Sequence, residues 1–352
     1  MLFALFALII FVWILVFYLA FSYEKVDQKI KKTIDFENTI YAKELKNFEV
    51  KNEKILPITN KLWEYIIWMK NLQNLILISL LVNDHILVEW MPGLAKTRTI
   101  LVMSKILWLD FKRIQFTPDM LPSDVIGWEL YNKNTWKFEI FKGPIFTNLL
   151  LADEINRATP KVQSALLEAM QEHKVTIWWQ TYELDKPFFV MATQNPLEQE
   201  WVFPLPEAQL DRFLLKANVD YPSFEEEKQI LDAYTKSIDD ISKIITKEEL
   251  LAMQDEVIQM DLWEDIKNYI VWVVEKLREK NDYIEVGPSP RASISLLKVL
   301  KAIKYLKQDE ITKEDVDMVL LPVLRHRIKL TLKALAEKKS VDEVIIETLL
   351  NK

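Results

Sequence analysis

Residues 85–97, HILVEWMPGLAKT, decide the fold of this chain. The first five form an apolar strand, and the following octet resembles the phosphate-binding pattern G-x-x-x-x-G-K-[ST]. Trp90 stands at the first glycine of that pattern and Ala95 at the second. Backbone amides at such a junction of strand, loop and helix cradle phosphate oxygens. Lys96 would reach the β- and γ-phosphates and Thr97 would bind magnesium through its hydroxyl, so the stretch predicts a nucleotide site.

The chain around this stretch alternates between apolar strands and amphipathic helices from residue 56 to residue 222. Such alternation is typical of a doubly wound α/β domain with a parallel sheet. The clearest further strands are residues 147–152 and 188–192. Beyond Pro222 the sequence shows helical periods without a convincing strand. We therefore expect an α/β nucleotide-binding core at 56–222 and an all-α lid domain at 223–352.

Polar residues follow the two later strands. Asp153 would organise magnesium, and Glu154 would activate the attacking water as a general base. A buried strand that merely ends in solvated acids is the alternative, and the preceding phosphate loop makes it the weaker one. Asn195 follows the third strand and would orient the water or sense the γ-phosphate, although a turn-forming asparagine explains it equally well.

Two arginines are candidates for neutralising charge on the nucleotide. Arg212 lies at a helix edge, from which it could enter the site of a neighbouring subunit. The alternative interpretation is that Arg212 forms a surface salt bridge, as an isolated arginine usually does. Arg291 falls in the first turn of a helix that opens after Gly287. Because a cation there opposes the helix dipole, the position favours a functional role.

The N-terminal residues predict a membrane anchor. Residues 2–21 form an uncharged apolar run that is long enough to cross a bilayer as a helix. A signal peptide is the alternative, but no positive segment precedes the run and no small-residue cleavage site follows it. Lysines follow the run and none precedes it, which places the rest of the chain in the cytoplasm. We expect a single-pass membrane protein with its anchor at 1–22 and a charged helical linker at 23–55.

Composition excludes several classes of function. The chain has 352 residues, no cysteine, three histidines and a net charge of −7. The lack of cysteine excludes disulfides, thiol catalysis and Cys-ligated zinc. The histidines are far apart in sequence and show no metal-binding spacing, so we expect each to be structural or exposed. The acidic balance and the lack of a long basic stripe argue against a nucleic-acid partner.

Taken together, these residues resemble the MoxR family of AAA+ ATPases. The similar segments fall between residues 56 and 327, at 92–97, 115–119, 121–124, 151–158, 192–196, 204–213 and 289–292. The resemblance implies ATP as the ligand and Mg²⁺ as its ion. It assigns the Walker A loop to Pro92, Gly93, Leu94, Ala95, Lys96 and Thr97, Walker B to Asp153 and Glu154, sensor 1 to Asn195, the arginine finger to Arg212 and sensor 2 to Arg291.

The resemblance also implies a mode of action. Similar proteins form rings, here expected to be hexamers, that hydrolyse ATP between subunits and act like chaperones on protein complexes. Proteins with a von Willebrand factor A domain are expected partners, and the anchor would place clients near the membrane. Residues 131–146 and 175–184 look like hairpins that face the pore or a partner, or are ordinary surface hairpins. A non-hydrolysing nucleotide-binding scaffold and a chelatase-type motor subunit for metal insertion are the alternatives.

Tryptophan is found where glycine is expected. The chain has 12 Trp and only 4 Gly, although glycine suits turns because it adopts positive φ without a steric penalty. The family pattern carries glycine at the places of Trp68, Trp90, Trp108, Trp136, Trp178, Trp179 and Trp201. We hypothesise that the source reads UGA codons as glycine. A genuinely Trp-rich chain is the alternative, and no glycine is assigned at Trp13, Trp63, Trp128, Trp263 or Trp272.

Overall fold

The computed structural model describes residues 44–350, apart from 46–47, 67–68, 91–95, 134–135, 196–201, 220 and 234–237. The strands are β1 Ile86–Trp90, β2 Phe111–Gln115, β3 Gly127–Asn132, β4 Lys137–Lys142, β5 Leu149–Asp153, β6 Lys174–Ile177, β7 Gln180–Glu183, β8 Phe189–Gln194, β9 Leu215–Val219, β10 Ile284–Val286 and β11 Lys329–Leu330. The helices are α1 Leu56–Tyr65, α2 Lys70–Val82, α3 Lys96–Leu107, α4 Pro122–Ile126, α5 Pro160–Glu172, α6 Glu207–Leu210, α7 Phe224–Ala233, α8 Lys247–Gln259, α9 Glu264–Lys276, α10 Pro290–Lys307, α11 Lys313–Leu324, α12 Leu332–Ala336 and α13 Val341–Leu350.

Five strands form one parallel sheet in the order β2, β5, β8, β1, β9. Strand β5 is buried along its whole length, as expected for a sheet that is covered on both faces. Successive side chains of β1 point to opposite faces. Accordingly, Ile86 and Val88 pack into one apolar cluster and Leu87 into the other.

Parallel strands give the sheet two chemically different edges. We call the edge just after Asp153 and Gln194, where β5 and β8 end, the carboxyl edge. The edge where β1 and β9 begin, at Ile86 and Leu215, is the amino edge. In open α/β sheets ligands bind beyond the carboxyl ends of the strands, so the carboxyl edge is where a nucleotide is expected.

Two antiparallel hairpins leave the core, β3 with β4 and β6 with β7. The first, at 127–142, lies four residues earlier than the hairpin expected at 131–146, and the second, at 174–183, agrees with the one expected at 175–184 to within one residue. The first begins at Gly127, where φ is +103° and an added Cβ would lie 2.2 Å from the carbonyl oxygen of Phe141. Only glycine suits that position.

Helices form the region after the core, as expected from the sequence. Helix α10 lies among α8, α9, α11 and the core helix α2. The parallel α/β core with a helical lid is therefore confirmed. The short antiparallel pair β10 and β11 was not expected, because strands of three and two residues are too short to show a period-two pattern.

The expected helical linker is not helical where the structure describes it continuously. Residues 48–55 contain no helix. Instead, the backbone N–H groups of Lys51 and Asn52 donate to the Leu306 carbonyl at 2.9 and 3.1 Å, and Asn52 Nδ2 donates to the Tyr305 carbonyl at 3.0 Å. The segment is held in a non-helical path because its backbone donors are satisfied by the end of α10.

The expected single-pass membrane localisation is wrong. Within the described part of the chain, no helix combines the length and the apolar character needed to cross a bilayer. Residues 2–21, on which the expectation rested, lie outside the described residues. An apolar run satisfies the bilayer dimension in length but does not by itself establish a spanning helix.

Candidate functional site

Two acids and a threonine are held together at the carboxyl edge. Asp153 ends β5, Glu154 follows it, and Thr193 lies in the neighbouring strand β8. Thr193 Oγ1 donates to Asp153 Oδ1 at 2.6 Å and accepts from the backbone N–H of Glu154 at 3.1 Å. Because Thr193 is fully buried, its hydroxyl fixes both acids relative to β8. Thr193 was not among the predicted site residues, since a threonine inside an apolar strand gives no chemical signal.

Asp153 also faces a cation from β2. Arg113 Nη2 lies 2.8 Å from Asp153 Oδ2 and donates to Gln115 Oε1 at 2.9 Å. The Asp153 side chain is 6% exposed, whereas that of Arg113 is 45% exposed. Loss of the ion pair would therefore cost more free energy at the buried carboxylate than at the more exposed guanidinium. Sequence reasoning missed Arg113 because a single arginine in a strand resembles a solvent-facing charge.

Glu154 has an unusual backbone. Its φ and ψ are +58° and +48°, in the left-handed region, where non-glycine residues are uncommon and are often functional. Its Oε2 accepts from Arg157 Nη1 at 3.1 Å. This backbone outlier supports a functional role for Glu154.

Asn195 lies at the same edge, next to the end of β1. It follows β8, whose last residue, Gln194, is paired with Glu89. Asn195 is buried, unlike the exposed asparagine of a simple surface turn. The structure therefore brings Asn195 to the strand ends that carry the phosphate loop and the acids.

The helix that follows the phosphate loop also begins at the carboxyl edge. Helix α3 starts at Lys96, with Thr97 in its first turn, shortly after β1 ends. This is the strand and helix pair expected around a phosphate site. Pro92, Gly93, Leu94 and Ala95, and the side chain of Lys96, lie outside the described residues.

The residues at this edge fit magnesium bound together with a nucleotide. Mg²⁺ is usually held by one or two carboxylates plus phosphate oxygens and water, and rarely by a closed protein cage. Asp153 supplies the carboxylate, and Thr97 is the predicted hydroxyl ligand. No group of three or more His, Asp or Glu side chains among the described residues could hold a metal ion alone.

Arg212 and Arg291 lie together at the amino edge. Arg212 precedes β9 and lines one cavity with Arg291 and with His85, the residue before β1. A strand of five residues, such as β1, spans roughly 15 Å. The two predicted cations are therefore separated from Asp153 of their own chain by about the length of the sheet.

His85 is a neutral structural residue in the wall of this cavity. Its Nδ1 accepts from the backbone N–H of Val190 at 3.1 Å, and its Nε2 donates to the Met170 carbonyl at 3.0 Å. Burial lowers the pKa of the ring below its usual range. His85 therefore adds no charge to the cavity, and its structural role agrees with the sequence-based expectation.

Comparisons with known proteins agree with this geometry. Residues 85–215 match the ATPase family associated with various cellular activities (AAA), and residues 278–348 match the AAA lid domain. The chain is 42% identical over 278 residues to chaperone MoxR1 of Mycobacterium tuberculosis, covering 76% of this chain and 74% of that protein. The chain belongs to the MoxR family of AAA+ ATPases. Its enzymatic activity is therefore ATP hydrolysis.

Two further proteins are similar to this chain over most of its length. The uncharacterized protein YeaC of Bacillus subtilis is 43% identical over 302 residues, which are 84% of this chain and 94% of that protein. A crystal structure of a Cytophaga hutchinsonii protein assigned as an ATPase has a TM-score of 0.77 and 38% identity, covering 92% of this chain and 97% of that one. These similarities span both the core and the lid.

Proposed function

We propose that this MoxR-family ATPase is a ring-forming motor whose nucleotide site is completed by two subunits. One observation carries the proposal: the acids and the phosphate-loop helix lie at the carboxyl edge, whereas Arg212 and Arg291 lie at the amino edge. A side chain does not bridge the roughly 15 Å between these edges. A head-to-tail contact between copies would join one chain's acids to the next chain's cations, and such contacts close into rings.

Each residue then has a distinct task. Lys96 would bind the β- and γ-phosphates, and Thr97 and Asp153 would hold Mg²⁺, which would supply charge neutralisation. Glu154 accepts the proton of the attacking water, and Asn195 orients that water. Arg212 and Arg291 of the neighbouring subunit stabilise the negative charge that develops on the transferred phosphoryl group.

We also propose that hydrolysis drives remodelling or maturation of protein complexes by a hexameric ring, with a von Willebrand factor A domain protein as a partner. The relative named chaperone MoxR1 supports this use of ATP. The β3 and β4 hairpin supports contact with protein clients, because Leu130, Tyr131 and Phe138 on it are exposed. Exposed apolar side chains of this kind commonly mark interaction sites.

Substitution of the general base tests the proposal. Glu154→Gln should lower kcat by roughly 10²- to 10⁴-fold, while ATP affinity stays close to that of the unmodified chain. Turnover and binding of a fluorescent ATP analogue are measured in parallel. Glu248→Gln, at an exposed position of α8, is the matched control and should change neither. Undiminished turnover in Glu154→Gln would remove Glu154 as the base, and an unmodified chain that binds ATP without hydrolysing it would favour the scaffold alternative.

A further inference from the structure

A single carboxylate joins the core to the lid beside Arg212. Asp211 Oδ1 accepts from Arg327 Nε at 2.8 Å, and its Oδ2 accepts from Ser289 Oγ at 2.8 Å. Arg327 follows helix α11, and Ser289 immediately precedes helix α10. Both oxygens of Asp211 are thus used by lid residues, although Asp211 itself lies in the core segment between α6 and β9.

Arg327 is the buried centre of this contact. Its side chain is 1% exposed, and all five of its N–H groups have acceptors. Besides Asp211, these are the carbonyls of Phe213 at 2.7 Å, Leu214 at 3.2 Å and Val323, and Ser295 Oγ at 3.0 Å. A buried guanidinium is tolerated when it has a counter-charge and all its donors are satisfied. Asp211 provides that counter-charge, so the docking of the lid on residues 211–214 depends on it.

The same carboxylate is linked to the backbone of Arg291. Ser289 is the N-cap of α10, and its Oγ accepts from the backbone N–H of Arg291 at 3.1 Å. Two successive hydrogen bonds therefore connect Asp211, the residue before Arg212, to the first turn of the helix that carries Arg291. Ser295, one turn later on α10, contacts the same core segment through Arg327.

We propose that Asp211 is a positioning residue that fixes Arg212 relative to Arg291, so that both cations reach the neighbouring subunit's nucleotide as one unit. The inference rests on the proposed function, in which these two arginines act between subunits. Asp211 need not contact the nucleotide. Asp211 holds Arg212 and helix α10 in a fixed relative position. A small displacement of a group that stabilises charge removes much of its stabilisation of the transition state.

The test separates stabilisation of the transition state from nucleotide binding. Full-length Asp211→Asn is compared with the unmodified chain for kcat, KM, retention of ADP with aluminium fluoride, which mimics the transition state, and retention of ADP alone. We expect kcat and aluminium-fluoride retention to fall about tenfold, while KM and ADP retention change less than about twofold. A kcat within about twofold of the unmodified chain, or a parallel fall in ADP retention, would overturn the proposal.

A second pair of variants keeps the test decisive if Asp211→Asn does not fold. Ser289→Ala removes one of the two hydrogen bonds to Asp211, and Ser289→Thr keeps a hydroxyl. We expect a lower kcat in Ser289→Ala than in Ser289→Thr, and equal values would overturn the proposal. Arg212→Ala is measured in the same assay. If it retained ADP with aluminium fluoride like the unmodified chain, the proposed function would fail, and the role of Asp211 with it.

A separate observation concerns three tryptophans. Trp108, Trp136 and Trp178 have φ values of +52°, +54° and +55°, and they are three of the nine non-glycine residues with positive φ in the described part of the chain. Their side chains are 66%, 80% and 66% exposed. Positive φ is costly for a residue with a Cβ, and so exposed an indole buries too little surface to offset that cost.

The local hydrogen bonds at two of these positions are those of glycine turns. After α3, the N–H of Trp108 bonds to the Lys105 carbonyl at 3.4 Å and that of Leu109 to the Ser104 carbonyl at 3.0 Å. This pair of bonds defines a Schellman motif, in which glycine usually occupies the position of Trp108. Trp178 lies in the two-residue loop between β6 and β7, where glycine is also favoured.

We infer that residues 108, 136 and 178 are glycine in the protein that its source makes, because UGA is read there as glycine. Mass spectrometry of peptides from the native protein is the direct test, together with the codons of the gene. Peptide masses that fit glycine at these positions, encoded by UGA, are expected. Peptide masses that fit tryptophan, or UGG codons, would overturn the inference.

A stability comparison tests the same inference in recombinant protein. Trp108→Gly should raise Tm, because glycine relieves the positive φ. Trp272 lies inside α9 and stacks on Tyr269 with ring centroids 5.6 Å apart, so Trp272→Gly should lower Tm. A lower Tm for Trp108→Gly would contradict the inference.

Discussion

The two edges of the central sheet differ in charge: acidic residues lie at one and arginines at the other. At the carboxyl edge, Asp153 and Glu154 are pinned by Thr193 beside the start of α3. At the amino edge, Arg212 and Arg291 share a cavity. Phosphoryl transfer needs a base and metal ligands on one side of the γ-phosphate and positive charge to stabilise its transition state. Under the proposed function, each edge of one chain therefore holds half of a site, and two chains complete it.

The largest expected effect comes from removing Arg212, the proposed arginine finger at the amino edge. Arg212→Ala should lower kcat by roughly 10³-fold or more, since an arginine finger stabilises the transition state rather than bound ATP. Arg212→Lys keeps the charge but lacks the planar guanidinium group. Its kcat should lie between that of the unmodified chain and that of Arg212→Ala. Steady-state kinetics on the full chain measure kcat and KM of these variants. A change confined to KM would contradict the assignment of transition-state stabilisation to the amino edge.

Arg291 should contribute less than Arg212. It is exposed in the first turn of α10, and we expect Arg291→Ala to lower kcat by about 10- to 100-fold. Lys301→Ala, on the same helix, is the matched charge control because Lys301 contacts the Ile258 carbonyl at 2.9 Å outside the cavity. Equal losses in both variants would show a general effect of charge on the lid.

At the carboxyl edge, the hydroxyl that pins the acids can be removed with little change of shape. Thr193→Val should lower kcat by roughly tenfold, because a hydrogen bond to a charged group contributes about 1.5–3 kcal/mol. Thr193→Ser keeps the hydroxyl and should retain most of the activity. Both are compared by kcat and by thermal unfolding. Full activity in Thr193→Val together with a loss in Thr193→Ser would mean that packing of the methyl group, and not the hydroxyl, matters.

The smallest expected effect concerns Arg113, whose Nη2 lies 2.8 Å from Oδ2 of Asp153. Arg113 would therefore compete with a Mg²⁺ ion that binds this carboxylate. Arg113→Gln should therefore lower the Mg²⁺ concentration that gives half-maximal activity, by about two- to fivefold. A magnesium titration of ATPase activity measures this, and a higher requirement for Mg²⁺ would show that Arg113 supports the metal site.

The sequence predicts the carboxyl edge better than the amino edge. Asp153, Glu154, Asn195 and Thr97 all follow or open local elements whose order along the chain places them together, because parallel strands end at one edge. Arg212 and Arg291 meet only because the lid docks on the core through Arg327. A buried arginine looks like a surface charge in sequence, since arginine is rarely buried.

The remaining differences between the sequence-based predictions and the structure also arise from contacts between distant segments. Residues 48–55 have the composition of a solvated helix, but their backbone hydrogen bonds go to the end of α10, which no local pattern reveals. Thr193 looks like an ordinary β-branched residue of an apolar strand, and its role depends on the register that places β8 beside β5. Because these contacts join segments that are far apart along the chain, local patterns in a single sequence do not reveal them.

The central claim is that one active site is built from two chains, and mixing two inactive variants tests it most directly. Glu154→Gln removes the base but keeps the cations, and Arg212→Ala does the reverse. In an equal mixture, about one interface in four joins an intact carboxyl edge to an intact Arg212. We predict that the mixture regains ATPase activity toward that fraction of the unmodified rate, while each variant alone stays inactive. A mixture of assembled subunits that remains as inactive as its components would contradict the account.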